Sequence, residues 1–336
     1  MSGHDRGVSG QGARAELIDD RGEAAVVEDF FRSRPFLDAE GVSHTLRIET
    51  DAGEELLAPL IVRPVGNGPE RDAISPYGYP GLVPLEPGKC CSRHAGTTAA
   101  APEGGRLDPD AIDFGATGLI SIFLRHRLGP PPLARAGERN VVQIADPDLP
   151  PKSRPGDRRQ IRKNLEAGYE VELVPAAETT PEQRGAFLDL YEQTMRRTAA
   201  AAHYFFGAAY FDRILEADRT WLAFALAPGG DPVAASIAAA GDGYLHYYLS
   251  GSADSHLRDS PMKNVVSRLV EHSTHLGLPL NLGGGIARGD ALEEFKRGFA
   301  NREQVWHTSE IVCDRAAYDR LSAGRAAAGF FPAYRA

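Results

Sequence analysis

The chain has 336 residues, of which 42% are hydrophobic and 25% are charged, and its formal net charge is -9. This length suits two domains of roughly 150 residues each, and no apolar run approaches the ~18 residues that a membrane-spanning helix needs. The negative charge disfavours a protein that coats nucleic acid nonspecifically, because such binding requires a broad positive surface.

The first residues are polar and lack the apolar segment of a secretory signal, so we expect a cytoplasmic protein. Residues 1–14 are rich in glycine and serine, and we predict a disordered tail there. The three cysteines, Cys90, Cys91 and Cys313, do not have the spacing of a zinc site. We therefore expect reduced thiols and no metal.

Residues 15–150 are predicted to form an N-terminal domain. We expect a helix over 23–32, followed by a hairpin of strands 44–49 and 55–62. The segment 72–81 is too rich in proline and glycine for regular structure, but it carries Tyr77 and Tyr79. A rigid aromatic loop of this kind often lines a cleft, and a plain connecting loop fits the sequence equally well.

A helix start near Asp108 and strands over 119–124 and 141–144 are predicted next, and the proline-dense run 147–155 marks the domain boundary. The second domain, residues 151–336, has a clearer pattern of alternating elements. Its helices are predicted over 157–167, 181–202, 208–217, 261–276 and 290–299, and its strands over 169–174, 221–226, 233–240, 244–250, around 280 and over 305–312. Thr180 is predicted to cap the helix that begins at Pro181, and Ser260 the helix that begins at Pro261.

A basic segment opens this second domain. Between residues 152 and 166, six positive residues face only Asp157 and Glu166; the six are Lys152, Arg154, Arg158, Arg159, Arg162 and Lys163. A concentrated basic segment in an acidic protein can receive phosphate groups locally. A solvated helix face is the simpler alternative.

The run from Asn281 to Phe299 is the most informative part of the sequence. Gly283, Gly284 and Gly285 allow positive φ angles and a close approach of the backbone to a ligand. Asp290 then opens a helix in which Lys296 and Arg297 lie away from the apolar positions. We expect an anionic ligand here; the alternative is a strand-to-helix turn followed by an ordinary core helix.

The order of elements in the second half resembles the GNAT acyltransferase fold. Within that superfamily it is similar to the Fem-type, aminoacyl-tRNA-dependent peptide ligases, whose relatives aminoacylate small molecules in antibiotic pathways. The resemblance is carried by segments 161–163, 195–197, 204–211, 247–252, 281–285 and 295–299, and in the first half by 75–81 alone. It implies an α/β fold with α+β mixed sheets, built from tandem GNAT-like domains of which the second is more complete.

The resemblance also implies a function. We expect an aminoacyltransferase that moves an aminoacyl group from aminoacyl-tRNA to an amine of a peptide or small molecule, such as a peptidoglycan precursor or a natural product. Two alternatives stay open: an acyl-CoA-dependent N-acyltransferase and a non-catalytic GNAT-like binding module. No resident cofactor is expected, and the partners would be the tRNA acceptor end and the amine acceptor.

Residue roles follow from the same resemblance. Phe295 and Lys296 correspond to the Phe-Lys pair that contacts the tRNA acceptor end. Phe295 would stack on the terminal adenine, and Lys296 would neutralise either a phosphate or the developing oxyanion. A packing role for Phe295 is equally compatible with the sequence. The expected tRNA or aminoacyl contacts also include Arg297, Gly283, Gly284, Gly285, Arg158, Arg159, Arg162 and Lys163.

The acceptor side and the general base are less defined. Strand alternation places Tyr247 and Tyr248 on opposite faces, so at most one of them reaches the cleft. Asp72 and His246 are the two candidates for a general base. The expected acceptor-side residues are Tyr77, Tyr79, Arg196, Arg197, Tyr204, Tyr247 and Tyr248.

Two departures from related families bear on the co-substrate. Acetyl-CoA-binding GNAT proteins carry a glycine-rich loop whose amides hold pyrophosphate at a helix N-terminus. The corresponding segment here, 257–263, has no glycine, and Pro261 removes an amide donor. In addition, the long helical hairpin that several cross-bridge ligases insert for tRNA is absent from the sequence, so tRNA contact would be more modest.

Overall fold

The computed structural model describes residues 12–22, 24–26, 28–85, 106–325 and 329–336. The predicted tail therefore lies mostly outside the described residues, as do Cys90 and Cys91. The strands are β1 (Ala13–Ile18), β2 (His44–Thr50), β3 (Glu55–Pro64), β4 (Arg71–Ile74), β5 (Val83–Pro84), β6 (Ile112–Asp113), β7 (Ser121–Arg125), β8 (Gly137–Ala145), β9 (Glu170–Pro175), β10 (Thr220–Leu226), β11 (Pro232–Gly241), β12 (Tyr244–Ser252), β13 (Leu280–Gly283) and β14 (Arg302–Val312). The α-helices are α1 (Arg34–Ala39), α2 (Pro155–Glu166), α3 (Pro181–Arg197), α4 (Ala208–Ile214), α5 (Met262–Leu276), α6 (Ala291–Arg297) and α7 (Arg315–Ser322).

The chain forms two compact units that are not contiguous in sequence. Unit 1 consists of Met1–Val26, Glu40–Arg139 and Val305–Ala336, and unit 2 of Val27–Ala39 and Asn140–Gln304. The passage into unit 2 after residue 139 lies close to the predicted boundary at 150. The domains 15–150 and 151–336 stay a prediction from the sequence.

In unit 1 the strand order is β6-β1-β2-β3-β4-β7-β14, and β5 also pairs with β3. The β1–β6 and β4–β7 pairs are parallel, and β1–β2, β2–β3, β3–β4 and β7–β14 are antiparallel. Alternating residues of β2, β3 and β7 form its core, with Leu46, Ile48, Leu60, Ile122 and Leu124 almost fully buried. Strands β2 and β3 form the hairpin that was predicted over 44–49 and 55–62.

In unit 2 the strand order is β8-β13-β12-β11-β10-β9. The β10–β11–β12 run is an antiparallel meander, as predicted. Strand β9 pairs antiparallel with β10, and β13 joins β12 in parallel. One face of this sheet packs against α2, α5 and α6 through small alanines and larger aliphatic side chains. The other face packs against α3 and α4 through Phe187, Tyr191 and Phe211.

Helix starts in unit 2 follow capping chemistry. Thr180 and Gln183 form a reciprocal capping box at α3, and the Asp290 carboxylate accepts from Glu293 N at 2.8 Å at the start of α6. The predicted capping role of Ser260 at α5 was wrong, because the Ser260 hydroxyl instead donates to Leu257 O at 3.3 Å. Pro261 begins the turn and supplies a fixed φ.

Several predictions in the first half were wrong. The helix predicted over 23–32 is absent from the described residues of that range, which have only a single 3-10 turn at Phe30–Arg32, and α1 begins two residues later. Pro35 explains this shift, because proline is favoured in the first turn of a helix. The helix near Asp108 is also only a 3-10 turn, Pro109–Ala111. Strand β1 was not predicted, and Asp72 to Ile74 belong to β4 rather than to an irregular loop.

Asp72, a predicted general base, is instead the centre of a buried ion cluster in unit 1. Its side chain is fully buried; Oδ1 accepts from Arg63 Nε and Arg335 Nη2, each at 2.9 Å, and Oδ2 accepts from Arg335 Nε. Tyr334 donates to Oδ2 at 3.2 Å. With both oxygens occupied by cations and a hydroxyl, Asp72 is placed to stabilise the fold rather than to take a proton from a substrate.

The cluster predicts a stability loss on Arg335→Ala. Removing one partner of a buried ion pair costs about 3–5 kcal/mol, and we expect a value at or below the lower end because Arg63 still pairs with Asp72. Urea denaturation measures this loss. Arg320→Ala is the matched control, because it breaks the exposed 2.8 Å pair with Glu70 and should cost less than about 1 kcal/mol. Equal losses in the two variants would contradict a structural role for the cluster.

Candidate functional site

The site in unit 2 begins where β12 and β13 separate. The two strands pair only at Leu245–Leu280 and His246–Asn281, although β12 continues to Ser252. Beyond His246, β13 therefore supplies no ladder partner to β12, and a wedge opens between the two strands. We call this region the wedge.

A β-bulge in β12 lies at the wedge. Between the pairs Ser236–Ser250 and Ala238–Tyr247, β12 contains one residue more than β11. Bulges bend a strand and increase its local twist, and they are over-represented next to active sites. The bulge therefore contributes to the separation of β12 from β13.

Residues 283–290, the glycine loop, follow β13 and contain the predicted glycines. Gly283 has a φ of +75°, which favours glycine. A Cβ at Gly284 would lie 2.6 Å from Asn140 Nδ2 and 2.7 Å from Val141 O. Part of the requirement for glycine is thus tight packing of the loop against β8, in addition to any approach by a ligand.

Two carboxylates occupy the backbone amides of the glycine loop. Asp290 accepts from Ile286 N at 2.7 Å and from Ala287 N at 3.0 Å, and Glu293 accepts from Gly289 N at 2.7 Å. The hydrogen bonds that Asp290 accepts from the backbone amides of Ala287 and Glu293, and also that from Ile286, lower the pKa of Asp290. These amides are therefore not free for the anionic ligand that we expected the loop backbone to bind.

Lys296, on α6, carries an unusual charge next to the glycine loop. Its ammonium group is buried and donates to Gly284 O at 2.6 Å, and within the described part of the chain it has no carboxylate at ion-pair distance. Burial lowers its pKa to about 8, against the opposing effect of Asp290. A buried ammonium group with one carbonyl partner retains two donors for a ligand.

The two neighbours of Lys296 on α6 have structural partners. Arg297 forms ion pairs with Glu293, with Glu294 at 2.6 Å and with Glu303 at 3.2 Å. Phe295 is partly buried against the core of unit 2, with its ring centroid 5.7 Å from that of Phe299. Arg297 is thus neutralised by three carboxylates, and Phe295 packs as a core residue.

His246, the second predicted base, is buried in β12. Its Nε2 donates to Gly241 O at 3.1 Å, and its Nδ1 accepts from Asn281 Nδ2 at 3.1 Å. Burial lowers its pKa to about 4, and Asp29 acts in the opposite direction. Because both ring nitrogens are engaged, His246 is a neutral hydrogen-bonding residue and not a free general base.

Helix α2 presents the basic segment to solvent. Arg158, Arg159, Arg162 and Lys163 are exposed, whereas Asn164 on the opposite side is buried and donates to Asn264 Oδ1 at 2.7 Å. Among the described residues, Arg159, Arg162 and Lys163 have no ion pair or side-chain hydrogen bond. We call the four exposed cations the α2 stripe.

By the resemblance noted in the sequence, the first turn of α5 corresponds to the loop that would hold pyrophosphate in an acetyl-CoA-binding GNAT protein. Here Lys263 N donates to Ser260 O and Asn264 N to Pro261 O, each at 3.0 Å. The Asp259 carboxylate accepts from Tyr169 OH at 3.0 Å beside this turn. Two amides of the turn are thus satisfied internally, and a negative charge lies next to them, which disfavours a diphosphate.

The predicted acceptor-side residues do not form one group. Tyr247 donates to Ser250 Oγ at 2.7 Å on the α5 face, and burial raises its pKa to about 12. Tyr248 lies on the opposite face, as strand alternation predicts, and its hydroxyl is 2.9 Å from that of Tyr210. Its ring packs against Phe30, Phe31 and Phe36, in the short N-terminal segment of unit 2.

The remaining acceptor candidates lie in three places. Arg196 pairs with Glu192 on the exposed side of α3, and Arg197 donates to Ser252 O at 3.1 Å and pairs with Asp254 at the end of β12. Tyr204 O accepts from Tyr191 OH at 2.6 Å.

The other two, Tyr77 and Tyr79, belong to unit 1. Tyr77 is 38% exposed, its amide donates to Glu40 at 2.8 Å, and the Tyr79 ring contacts Trp306.

Sequence reasoning missed three polar residues around the glycine loop. Asn140 donates to Gly285 O at 2.9 Å, and Asn281 accepts from Gly283 N at 2.8 Å. Gln143, the ladder partner of Gly283, is fully buried, and its amide oxygen has no hydrogen-bond partner among the described residues. Asn140 and Gln143 lie in β8 without a pattern that could have identified them, and Asn281 was noted only as the first residue of the informative run, without a role.

Within the described residues, no three potential metal ligands converge, and no helix is long and apolar enough to span a bilayer. Cys313 is a free thiol, and burial raises its pKa to about 12, so it is unreactive.

Comparison with known proteins agrees with this architecture. Residues 151–297 match the model of an acetyltransferase (GNAT) domain. FemX has 12% sequence identity and a TM-score of 0.59, with 90% of this chain and 96% of that chain covered. No curated protein matches the sequence.

Two further solved structures are similar. L-PGS from Bacillus licheniformis has 12% identity and a TM-score of 0.50, over 81% of this chain and 85% of that chain. The C-terminal domain of a putative lysylphosphatidylglycerol synthetase from Agrobacterium fabrum has 13% identity and a TM-score of 0.52, over 86% and 91%. The predicted fold class is thereby confirmed: residues 151–297 match the model of an acetyltransferase (GNAT) domain, and the fold of the chain is similar to that of FemX.

Proposed function

We propose that this chain transfers an aminoacyl group from aminoacyl-tRNA to an amine of a peptide or small molecule. The observation that carries the proposal is the buried Lys296 ammonium group, held by Gly284 O alone and without a carboxylate partner among the described residues. A desolvated cation with free donors favours an anionic or developing oxyanionic oxygen.

The reaction requires little more than orientation and such a donor. The acceptor amine attacks the ester carbonyl, a C–N bond forms, and the bond to the ribose oxygen breaks. Lys296 would donate a hydrogen bond to the oxyanion, and the proton lost by the amine would end on the departing ribose hydroxyl. An activated ester needs no additional nucleophile, and this agrees with the engaged nitrogens of His246 and the ion-paired carboxylate of Asp72.

The α2 stripe supports a nucleic acid as the carrier of the aminoacyl group. Its cations are exposed, and three of them lack partners in the described part of the chain, so they can neutralise phosphates near the acceptor end. The likeness to FemX and to the lysylphosphatidylglycerol synthetase domain, whose name describes a lysylated product, supports an aminoacyl group as the group transferred.

An acyl-CoA-dependent N-acyltransferase is the second candidate. The match of residues 151–297 to an acetyltransferase (GNAT) domain favours it. The internally bonded first turn of α5 and the neighbouring Asp259 count against it, because the diphosphate of coenzyme A would lack its usual amide partners.

Supplying labelled aminoacyl-tRNA or acyl-CoA together with candidate amines separates these two functions. We expect transfer from aminoacyl-tRNA that is abolished by prior treatment with RNase. Lys296→Ala should lower turnover by at least roughly tenfold, the effect of losing one stabilising hydrogen bond in the transition state. Arg268→Ala, which removes an exposed cation of α5, is the control. Transfer from acyl-CoA that is insensitive to RNase would favour the second candidate.

Charge reversal on α2 tests whether the α2 stripe binds the tRNA that carries the aminoacyl group. Arg159→Glu combined with Arg162→Glu should raise KM for aminoacyl-tRNA about tenfold with little change in kcat, and the slope of log KM against log salt should flatten by about one for each phosphate that is no longer neutralised. Arg315→Glu, an exposed position on α7 in unit 1, is the control. An unchanged KM in the double variant would remove the α2 stripe from the proposal.

The Lys296 charge also predicts a pH-dependent stability. A lysine in the unfolded chain titrates near 10.4, so the unfolded chain binds this proton more tightly than the folded one, whose Lys296 pKa is about 8. The destabilisation is full below the folded pKa and disappears as the pH rises through the unfolded value. We expect Lys296→Met to be more stable than the native chain at pH 7, by on the order of 3 kcal/mol.

Free energies of unfolding, measured from pH 7 to pH 10, check this expectation. The advantage of Lys296→Met should shrink as the pH rises, whereas Lys163→Met on the exposed face of α2 should follow the native chain throughout. A difference between native chain and Lys296→Met that does not change with pH would show that the ammonium group is not destabilised by burial.

A further inference from the structure

A chain of buried hydrogen bonds runs from the end of β11 to the glycine loop. His246 Nε2 donates to Gly241 O at 3.1 Å, Asn281 Nδ2 donates to His246 Nδ1 at 3.1 Å, and Gly283 N donates to Asn281 Oδ1 at 2.8 Å. Both side chains are about 1% exposed. This chain of hydrogen bonds joins β12 and β13 at the His246–Asn281 pair, immediately before the strands separate.

The direction of each hydrogen bond in this chain is fixed by chemistry. A carbonyl oxygen only accepts, so the proton of the neutral imidazole is on Nε2, and Nδ1 is the acceptor. The Gly283 amide only donates, so the amide oxygen of Asn281 faces it and the amide nitrogen faces the histidine. One tautomer of His246 and one orientation of Asn281 satisfy all four polar groups.

The last hydrogen bond of this series, from Gly283 N to Asn281 Oδ1, lies next to the hydrogen bond from Lys296 Nζ to Gly284 O. Gly283 has a φ of +75°, and the following residue, Gly284, supplies the carbonyl that accepts from Lys296 Nζ. The ammonium group is also 3.2 Å from the position of a Cβ on Gly283. The backbone conformation at Gly283 and Gly284 orients the next peptide group, between Gly284 and Gly285, whose carbonyl accepts from the ammonium group, and it therefore sets where the ammonium group lies.

We propose that His246 and Asn281 are positioning residues for Lys296, acting through Gly283 and Gly284. They do not touch the substrate in this proposal. They hold the glycine loop in the conformation that buries the ammonium group and directs its remaining donors. The catalytic consequence depends on the proposed function, whereas the positioning of Lys296 does not.

The aromatic environment of His246 supports a fixed role. The imidazole ring meets Phe31 edge to face, with centroids 4.8 Å apart, so it is held from the side of the N-terminal segment of unit 2 as well as by its two hydrogen bonds. Asn140 fixes the other end of the same loop by donating to Gly285 O at 2.9 Å. The loop is thus anchored on both sides of the Gly284 carbonyl.

Competitive acetylation of lysines, followed by mass spectrometry across a pH range, tests the proposal without a known substrate. It reports the pKa and accessibility of Lys296 relative to exposed Lys163 in the same molecule. Asn281→Ala and His246→Leu each interrupt this chain of hydrogen bonds. In both we expect the Lys296 pKa to move from about 8 toward its ordinary value of 10.5, and its intrinsic labelling rate to rise at least roughly tenfold.

His246→Gln provides the conservative rescue. A carboxamide offers one donor and one adjacent acceptor, as the neutral imidazole does, so it can still donate to Gly241 O and accept from Asn281. We expect its Lys296 profile to stay close to that of the native chain. Tyr169→Phe, which removes a hydrogen bond beside α5 and outside this chain, is the matched control.

Circular dichroism identifies variants that remain folded, and the comparison of His246→Gln with the native chain remains decisive if the two disruptive variants unfold. A folded Asn281→Ala with the native Lys296 profile would overturn the proposal, and so would a folded His246→Gln in which Lys296 titrates as an exposed lysine.

In a transfer assay, the disruptive variants should lose kcat and keep KM for aminoacyl-tRNA. If no transfer occurs in the native chain, the proposed function fails while the labelling result still decides the positioning.

Discussion

The proposed chemistry of unit 2 depends on one contact, the hydrogen bond from the Lys296 ammonium group to Gly284 O. Transfer of a charged amine out of water is unfavourable unless opposite charge or several acceptors compensate for the lost hydration. Nearby carboxylates are present, but Glu293 is bound to Arg297 and to a backbone amide, and Asp290 to the amides of the glycine loop. The sequence thus places acidic residues close to the lysine and then uses them elsewhere, so the cation remains available.

The glycine loop explains how such an arrangement is maintained. Its conformation is determined from three directions: Asn140 from β8, Asn281 from β13 and Asp290 from the start of α6. Each supplies a side-chain group to the loop backbone, so the loop is ordered by its own protein and not by a ligand. Electrostatic stabilisation of a transition state requires preorganised donors of this kind, because they need no rearrangement at the moment of reaction.

The sequence predicted the periodic parts of this molecule well and the side-chain partnerships poorly. The meander β10–β11–β12, the α3 cap at Thr180 and the α6 cap at Asp290 were predicted correctly, since strand alternation and capping are local properties. Lys296 was singled out from the resemblance of its motif, and its burial could not be inferred from helix periodicity. Asp72 pairs with Arg335, which is far from it in the sequence, and for this reason that pair was not anticipated. The pairs of Arg297 with Glu293 and Glu294 have the i,i+4 and i,i+3 spacing of a helix and were overlooked.

The discontinuous composition of the two units has a consequence for synthesis on the ribosome. Phe30, Phe31 and Phe36 emerge early, but Tyr248, against which they pack, is made more than two hundred residues later. In the intervening time, the nascent chain carries an aromatic segment that lacks this tyrosine partner, and such surface attracts chaperones and promotes aggregation. Similarly, Arg335 and most of β14 reach unit 1 only after residues 140–304 of unit 2 have been made. Unit 1 therefore cannot be completed before the whole of unit 2 has been synthesised.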